Sequence, residues 1–320
     1  MRKVALLIFS FCLAAGVMAQ DSGKKAKRTK RKNLPATPVK WTKGGVINLY
    51  VNQGGFDNWI HTGNANYSLG VNGYLNLFAN KEWKGKRKGK EKNWSSSLDV
   101  LQAIQSIHDE RTDDNNFSKL EDRLDFQTRY AMNINKKLYF GAIANLRTQL
   151  YDTKNEDGKR TSGFFAPAYV TAAPAGLEWR PCEGFQAFVT PASLRWVFVT
   201  NGPYSISINN NENPKPFGVD PNKEVDFQPG AYAQFNLNKK LAKNIKLRSR
   251  LDLYANYRNN PDNVDIYFTN FLHMSVNKWI SVGINLDMIY DDDIRQFGWD
   301  HTKAALQYKH ILGVGVTAKF

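Results

Sequence analysis

The stretch Asn64–Ala79 reads NANYSLGVNGYLNLFA and alternates between apolar and small or polar residues. One face carries Ala65, Tyr67, Leu69, Val71, Leu75 and Leu77. A period of two predicts a β-strand. At about 3.3 Å per residue the strand is far longer than is usual in globular sheets, and it suits a tilted strand that crosses a bilayer. The stretch therefore predicts a transmembrane β-barrel.

The beginning of the chain has the parts of a secretory signal peptide. Two basic residues precede the apolar run Val4–Ala15, and Val17 and Ala19 are the small residues expected before a cleavage site. The run is too short for a transmembrane helix, and no run of about eighteen apolar residues follows it. We therefore expect a cleaved signal at 1–19 and export. The membrane part must then be a closed barrel, because lipid offers no hydrogen-bond partners to open strand edges.

The same alternation recurs along the chain and predicts twelve strands. Their predicted bounds are Gly45–Gln53, Asn64–Ala79, Trp94–Ile107, Leu120–Ile134, Leu138–Tyr151, Phe164–Arg180, Phe185–Thr200, Asp226–Leu237, Ile245–Tyr257, Val264–Val276, Trp279–Tyr290 and Lys303–Phe320. Short and longer connections interleave, as in bacterial barrels with short periplasmic turns and longer outer loops. The connection Asn80–Asn93 is an exception, since it would be periplasmic yet long. It is either an extended turn or a sign that the register is wrong by one hairpin. The pattern predicts an all-β, closed antiparallel barrel of up-and-down topology over residues 40–320.

The last strand has an alternating apolar face with Val314 and Val316 and ends in the aromatic residue Phe320. This ending resembles the C-terminal signal by which the outer-membrane assembly machinery recognises its clients. The alternative is a final edge strand that happens to end in phenylalanine. We expect the barrel to lie in the outer membrane of a Gram-negative bacterium, in contact with lipid and lipopolysaccharide.

The formal net charge of +15 is local rather than spread over the barrel. A predicted tail at 20–39 carries the basic residues Lys24, Lys25, Lys27, Arg28, Lys30, Arg31 and Lys32. The segment Lys81–Lys92 adds seven basic against two acidic residues. Such runs are usually solvated and disordered. The functional alternative is attachment to an anionic periplasmic partner, either peptidoglycan or an acidic protein. Nucleic acid is not an expected partner, because the strands show no basic stripe.

Charged residues of both signs fall on the face opposite the apolar set, and in a barrel this face lines the lumen. The predicted lumen-lining residues include Glu121, Arg123, Asp125, Arg129, Arg147, Lys246, Arg248, Arg250 and Asp252. A turn centred on Lys136 sets Asp125 opposite Arg147 as a cross-strand ion pair. Charges of both signs should interlock and narrow the bore. The result is either a polar plug or a selectivity region for small polar solutes, in which Arg147, Arg248 and Arg250 favour anions.

Support for catalysis or metal binding is thin. His273 and Ser275 have a spacing that resembles outer-membrane phospholipases, but both fall on the inward face, away from lipid. His301 lies in a predicted outer loop, where an omptin-like protease would place a catalytic group. The acidic runs Asp152–Asp157 and Asp291–Asp293 lack the spacing and glycine of an EF-hand loop. We therefore predict a non-enzymatic protein with no catalytic residues, no cofactor and no metal.

The segments Trp41–Gly45 and Asn52–Trp59, followed by Gly63 and Asn64, resemble the start of a Bacteroidota family catalogued only as a domain of unknown function. The resemblance implies an outer-membrane or cell-envelope barrel without assigned chemistry. Our leading hypothesis is a narrow pore or transporter for small polar solutes. Its rival is an accessory subunit of an envelope complex for protein secretion, outer-membrane assembly or glycan handling. A hydrolase is the third alternative. The long connection Asn201–Val225 is the best candidate for an element that occludes the lumen, although a mobile surface loop is the default.

Overall fold

The fold is taken from a computed structural model. It describes residues 41–57, 67–84, 90–109, 114–154, 160–200, 216–220, 222–292, 295–297 and 303–320. The predicted signal peptide, the basic tail with Lys24–Lys32, and His301 lie outside the described residues. No helix in the described ranges is long and apolar enough to cross a membrane.

Twelve antiparallel strands close into one barrel, in which each strand pairs with its neighbours in the chain and β1 pairs with β12. The strands are β1 (Trp41–Asp57), β2 (Tyr67–Lys84), β3 (Glu91–Asp109), β4 (Asp114–Asn133), β5 (Leu138–Thr148), β6 (Ala168–Trp179), β7 (Phe185–Phe198), β8 (Val225–Ala242), β9 (Ile245–Asn256), β10 (Val264–Ser275), β11 (Ile280–Tyr290) and β12 (Gln307–Lys319). Two short ladders lie outside the barrel. They pair Thr153–Lys154 with Arg160–Ser162 and Arg295–Phe297 with Lys303–Ala304. The predicted closed antiparallel barrel is confirmed.

Of the two alternatives for Asn80–Asn93, the structure fits an extended turn, and the strand bounds predicted at Ala79 and Trp94 lie too far apart. Strand β2 continues to Lys84 and β3 begins at Glu91, and these two residues are paired in the ladder. The sequence-based boundary stopped where the apolar alternation stops, whereas the ladder continues because its hydrogen bonds join backbone groups only. The connection is therefore short, and the register is not displaced by one hairpin.

Two strands begin four residues later than predicted. Strand β6 starts at Ala168 rather than Phe164, because Phe164 and Phe165 lie in a turn closed by backbone hydrogen bonds between Gly163 and Ala166. Strand β12 starts at Gln307 rather than Lys303, since Lys303 belongs to one of the short ladders outside the barrel.

Short turns lie at the end of the barrel where β1 begins and β12 ends, here called the terminus end. The Asn135 side chain accepts hydrogen bonds from the backbone N–H groups of Lys137 and Leu138, each at 2.9 Å. Gly184 closes another turn with φ +82°, a conformation that L side chains rarely adopt. The longest connections, including 149–167 and 199–224, lie at the opposite end, here called the loop end. This is the interleaving that the sequence predicts.

The barrel is apolar outside and polar inside. On the outer face, Val51 is 60% exposed and Val314 and Val316 are each 54% exposed. On the inner face, Asn52 and Lys309 are buried. Water-soluble proteins place large apolar side chains inside, so this inverted arrangement is that of a transmembrane barrel. Exposed tryptophans near the terminus end form the aromatic girdle expected at a membrane interface; they are Trp41, Trp94, Trp179 and Trp279.

Candidate functional site

The site contains a cross-strand ion pair between two neighbouring strands. Asp125 on β4 lies directly opposite Arg147 on β5, as the turn around Lys136 predicts. The Arg147 Nη2 atom is 2.7 Å from Asp125 Oδ2. The same guanidinium lies 3.3 Å from Asp252 Oδ2 on β9, so the pair extends into the lumen towards another wall.

Arg250 continues this network from β9. Its Nη1 atom is 3.4 Å from Asp125 Oδ1, and its Nε atom is 2.8 Å from Asp252 Oδ2. Strands β4 and β9 are five positions apart in the ring of twelve, so the contact between Arg250 and Asp125 crosses almost the whole bore. The Tyr232 hydroxyl fixes Asp252 from β8 by donating a hydrogen bond of 2.7 Å.

Arg123 makes the contact across the full diameter. From β4, its Nη1 atom donates to the hydroxyl oxygen of Tyr267 on β10 at 3.1 Å and lies 3.4 Å from Asp287 Oδ2 on β11. Strands β4 and β10 face each other in the ring. The Arg147 guanidinium also stacks over the Tyr267 ring at 3.6 Å from its centroid. Beside this layer, Lys309 forms ion pairs with Glu121 and Asp287.

We call this layer the septum. It consists of Arg123, Asp125, Arg147, Arg250, Asp252, Tyr267 and Asp287. Three arginines face three aspartates, so its formal charge is balanced. Buried ions of opposite sign in contact satisfy one another where an isolated ion would be costly. The septum therefore crosses the middle of the lumen with side-chain contacts, and charges of opposite sign interlock there.

The septum separates two cavities, each of about 250 Å³. Arg123, Arg147, Arg250 and Tyr267 line both cavities. The loop-end cavity is also lined by aromatic and charged groups, among them Tyr169, Arg195, Phe217 and Tyr254. The terminus-end cavity is also lined by amides and rings, among them Asn72, Tyr74, Asn76 and Phe271. The two ends of the lumen thus offer different chemistry.

Part of the long connection between β7 and β8 folds against the inner wall at the loop end. Val219 is fully buried in a cluster with Ala166, Val197 and Val199, and Phe217 packs against the same cluster. Since Phe217 also lines the loop-end cavity, this part of the connection narrows the lumen. The rest of the candidate occluding segment, 201–215, lies outside the described residues.

Four of the predicted lumen residues lie on the inner face but outside the septum. Arg129 donates to Gln186 at 2.6 Å and pairs with the buried Glu178 at 2.8 Å. Arg248 is exposed to the terminus end of the lumen, where its Nη1 atom donates to the Tyr74 oxygen at 3.1 Å. Lys246 is exposed one inward position further towards that end, and Glu121 pairs with Lys309 beside the septum.

Sequence reasoning missed several groups of this site, among them Tyr267, Asp287 and Lys309. Their positions in the strands could have revealed them, because each occupies one of the alternate positions that point inward, between residues of the outward face. In β12, for example, Lys309 points to the same side of the strand as Gln307 and Ile311, which are buried, and to the opposite side from the exposed Leu312. Their partners could not have been found this way, since the contacts join strands distant in the chain.

The candidate catalytic pair lies inside the barrel. His273 Nε2 is 3.2 Å from Ser275 Oγ, and His273 Nδ1 is 3.5 Å from the Tyr50 hydroxyl. His273 is buried on the inner face, as the sequence predicts, and does not reach lipid. In the described part of the chain, no group of three or more His, Cys, Asp or Glu residues is arranged to hold a metal ion.

One family model matches part of this chain. Residues 51–153 match the model of a family described as protein of unknown function (DUF3078). The matched region includes Arg123, Asp125 and Arg147 of the septum. No curated protein matches the chain.

Similar solved structures are barrels of several kinds. The NanC porin is 9% identical with a TM-score of 0.37, and the alignment covers 84% of this chain and 98% of the porin. An anion-selective porin from Comamonas acidovorans is 9% identical with a TM-score of 0.32, covering 88% of this chain and 100% of that one. The translocator domain of the autotransporter NalP from Neisseria meningitidis is 10% identical with a TM-score of 0.29, covering 87% and 89%.

Proposed function

We propose that the protein is a narrow, non-enzymatic outer-membrane pore for small polar solutes. The observation that carries the proposal is a polar lumen with a cavity on each side of the septum. The apolar outer face and the exposed C-terminal residues Val314, Val316 and Phe320 support insertion into an outer membrane by its assembly machinery. The resemblance to a Bacteroidota family supports the same envelope setting.

The septum is built from side chains, and this supports a pore of low conductance. Side chains change rotamer without movement of the barrel wall, on a faster timescale than backbone rearrangement. Opening requires separation of the contacts from Arg250 to Asp125 and from Arg123 to Asp287. Because the charges of the septum balance, we propose little preference between anions and cations in the wild-type protein. Without partners, Arg147 and Arg250 would favour anions. Each of them is instead paired with both Asp125 and Asp252.

Planar-bilayer recordings on the purified protein test the pore. The double variant Asp125→Ser, Arg250→Ser removes one opposite pair and keeps the septum balanced, so we expect larger conductance steps than in wild type. The matched control is Asp152→Ser, Arg160→Ser, which removes an ion pair at 3.6 Å from a loop-end ladder outside the barrel. Its steps should equal those of the wild type. A silent bilayer with both the wild type and the septum variant would contradict the pore.

A second candidate is an accessory subunit of an envelope complex, with the barrel as an anchor. The septum across the lumen favours this role, because an anchor needs no open lumen. The basic residues Lys24–Lys32 would then attach the protein to peptidoglycan or to an acidic periplasmic protein. Envelope components that co-purify with the full chain and are released by high salt or by deletion of 24–32 support this candidate.

Turnover of phospholipid or peptide lost in His273→Ala or His301→Ala would instead indicate a hydrolase.

A further inference from the structure

Aromatic side chains and lysines share the outer face of β1–β4 near the terminus end. One row of paired residues crosses all four strands. Trp41 pairs with Lys81, Lys81 with Trp94, and Trp94 with Tyr130. These side chains point away from the lumen, and Trp41 and Trp94 are 39% and 45% exposed. We call this surface the interface patch. It consists of Trp41, Lys43, Lys81, Trp83, Lys92, Trp94 and Tyr130.

The rings of the patch hold one ammonium group near the surface. Lys81 Nζ lies 5.3 Å from the ring centroid of Trp41 and 5.6 Å from that of Trp83. Both distances are short enough for cation–π attraction. The Trp41 ring is supported by Trp94, with 6.3 Å between their centroids. The Trp83 ring is supported by Tyr130 at 6.1 Å. A positive charge is therefore held at the depth where tryptophans meet lipid headgroups.

The three lysines of the patch form a diagonal line across neighbouring strands. Lys43 lies opposite Ala79, which is two residues before Lys81. Lys92 lies opposite Trp83, which is two residues after Lys81. Diagonal neighbours of an antiparallel pair are about 7–8 Å apart. Like charges at this distance repel, so an anion bound on the patch relieves the repulsion.

No carboxylate of the described residues offsets this charge. None of the three patch lysines forms an ion pair or a hydrogen bond within the described ranges. The acidic residues Glu82 and Glu91 alternate with the outward lysines and point inward. The indole N–H groups of Trp41 and Trp83 have no acceptor in the described part of the chain. Ammonium and indole donors together fit the oxygens of a phosphate group.

We propose that the interface patch binds the headgroup phosphate of an anionic phospholipid in the periplasmic leaflet. This inference rests on the outer-membrane setting of the proposed function, in which short turns mark the periplasmic end. Lysines at a membrane surface attract anionic lipids. The acyl chains lie along Ile47 and Leu49, outward residues of β1 that are 48% and 53% exposed on the membrane side of the patch.

Native mass spectrometry of the full chain in detergent tests the site. The probes are dioleoylphosphatidylglycerol and dioleoylphosphatidylcholine, which share acyl chains and differ in charge. We expect the wild type to bind phosphatidylglycerol more tightly. Lys81→Gln should weaken this binding about 5-fold, as expected for one lysine near a membrane surface, and Lys81→Arg should keep it. Binding of phosphatidylcholine should not change. Circular dichroism shows whether each variant folds.

Two triple variants separate the patch from general attraction of anionic lipid to a basic chain. The first carries Lys43→Gln, Lys81→Gln and Lys92→Gln. The second removes the same charge from exposed turns at the same end, and it carries Lys136→Gln, Lys137→Gln and Lys278→Gln. The patch variant should lose more than about 10-fold in affinity for phosphatidylglycerol. The turn variant should bind it as wild type does.

The outcomes separate the lipid site from the pore. Equal losses in the two triple variants, or wild-type binding of phosphatidylcholine as tight as that of phosphatidylglycerol, would overturn the site. Displacement of the lipid by inorganic phosphate would also overturn it and indicate an ion site only. Conductance steps without the lipid preference would leave the pore standing and reject the site. The lipid preference in a protein that is silent in planar bilayers would support the site and reject the pore.

Discussion

Arg250 Nη1 lies 3.4 Å from Asp125 Oδ1, although the two residues extend from strands on nearly opposite walls of the barrel. A ring of twelve strands alone would leave a wider bore. This contact narrows the bore to the spaces between side chains. The contact of Arg123 with Tyr267 has the same effect. The bore of this protein is therefore set by its septum rather than by its strand number.

Removal of one septum charge should change ion selectivity. In Arg250→Ala, Asp125 and Asp252 lose a partner, so the septum has a net negative charge and should favour cations. The reversal potential under a KCl gradient measures this shift. The control Arg258→Ala removes an exposed loop-end arginine and should leave the potential unchanged. A shift towards anions in Arg250→Ala would contradict the assignment of this residue to the septum.

The second ion-pair cluster should contribute to stability. Glu178 is fully buried and pairs with both Arg129 and Arg180. Glu178→Gln keeps the volume but leaves two cations unpaired, which typically costs about 3–5 kcal/mol for a buried pair. Urea unfolding in lipid vesicles, followed by tryptophan fluorescence, measures the loss. Glu183→Gln in the adjacent exposed turn is the matched control, and equal stability of the two variants would refute the prediction.

Close packing beneath Phe188 requires a glycine at position 176. A Cβ there would lie 2.4 Å from Phe188 Cζ and 2.8 Å from the Val189 carbonyl oxygen. Gly176→Ala must therefore displace a ring or the backbone, at an expected cost of about 1–3 kcal/mol. Gly73→Ala is the control, because a Cβ at Gly73 meets nothing within 4 Å. The same unfolding assay compares them, and a Gly176→Ala protein as stable as Gly73→Ala would show that this contact is not tight.

The outer apolar belt predicts that a charged substitution destabilises the barrel by an amount that depends on its depth in the membrane. Val314 is 54% exposed in the middle of β12, so Val314→Lys should destabilise the barrel by about 2–4 kcal/mol in lipid. Leu241 is 53% exposed near the terminus end of β8, and Leu241→Lys should cost only about 0–1 kcal/mol. Unfolding in vesicles distinguishes the two. Equal costs would mean that the belt does not face acyl chains.

The sequence by itself determined the strands, their faces and the alternation of short and long connections. Side-chain direction in a strand has a period of two, so Asn64–Ala79 and the residues around Asp125 show locally which groups face inward. The pair of Asp125 with Arg147 was also accessible, because a short turn fixes the register of neighbouring strands. The backbone ladder past Asn80 could not be predicted from the sequence, because it continues where the apolar pattern stops.

Only the tertiary structure decided which inward groups meet. Arg250 and Asp125, or Arg123 and Asp287, are far apart in the chain, and their contact depends on how the ring closes and how its strands are staggered. Closure and stagger are properties of all twelve strands together, and no local pattern encodes them. The balanced septum and the two cavities beside it therefore arise from the closed barrel, although every residue that builds them is visible in the sequence.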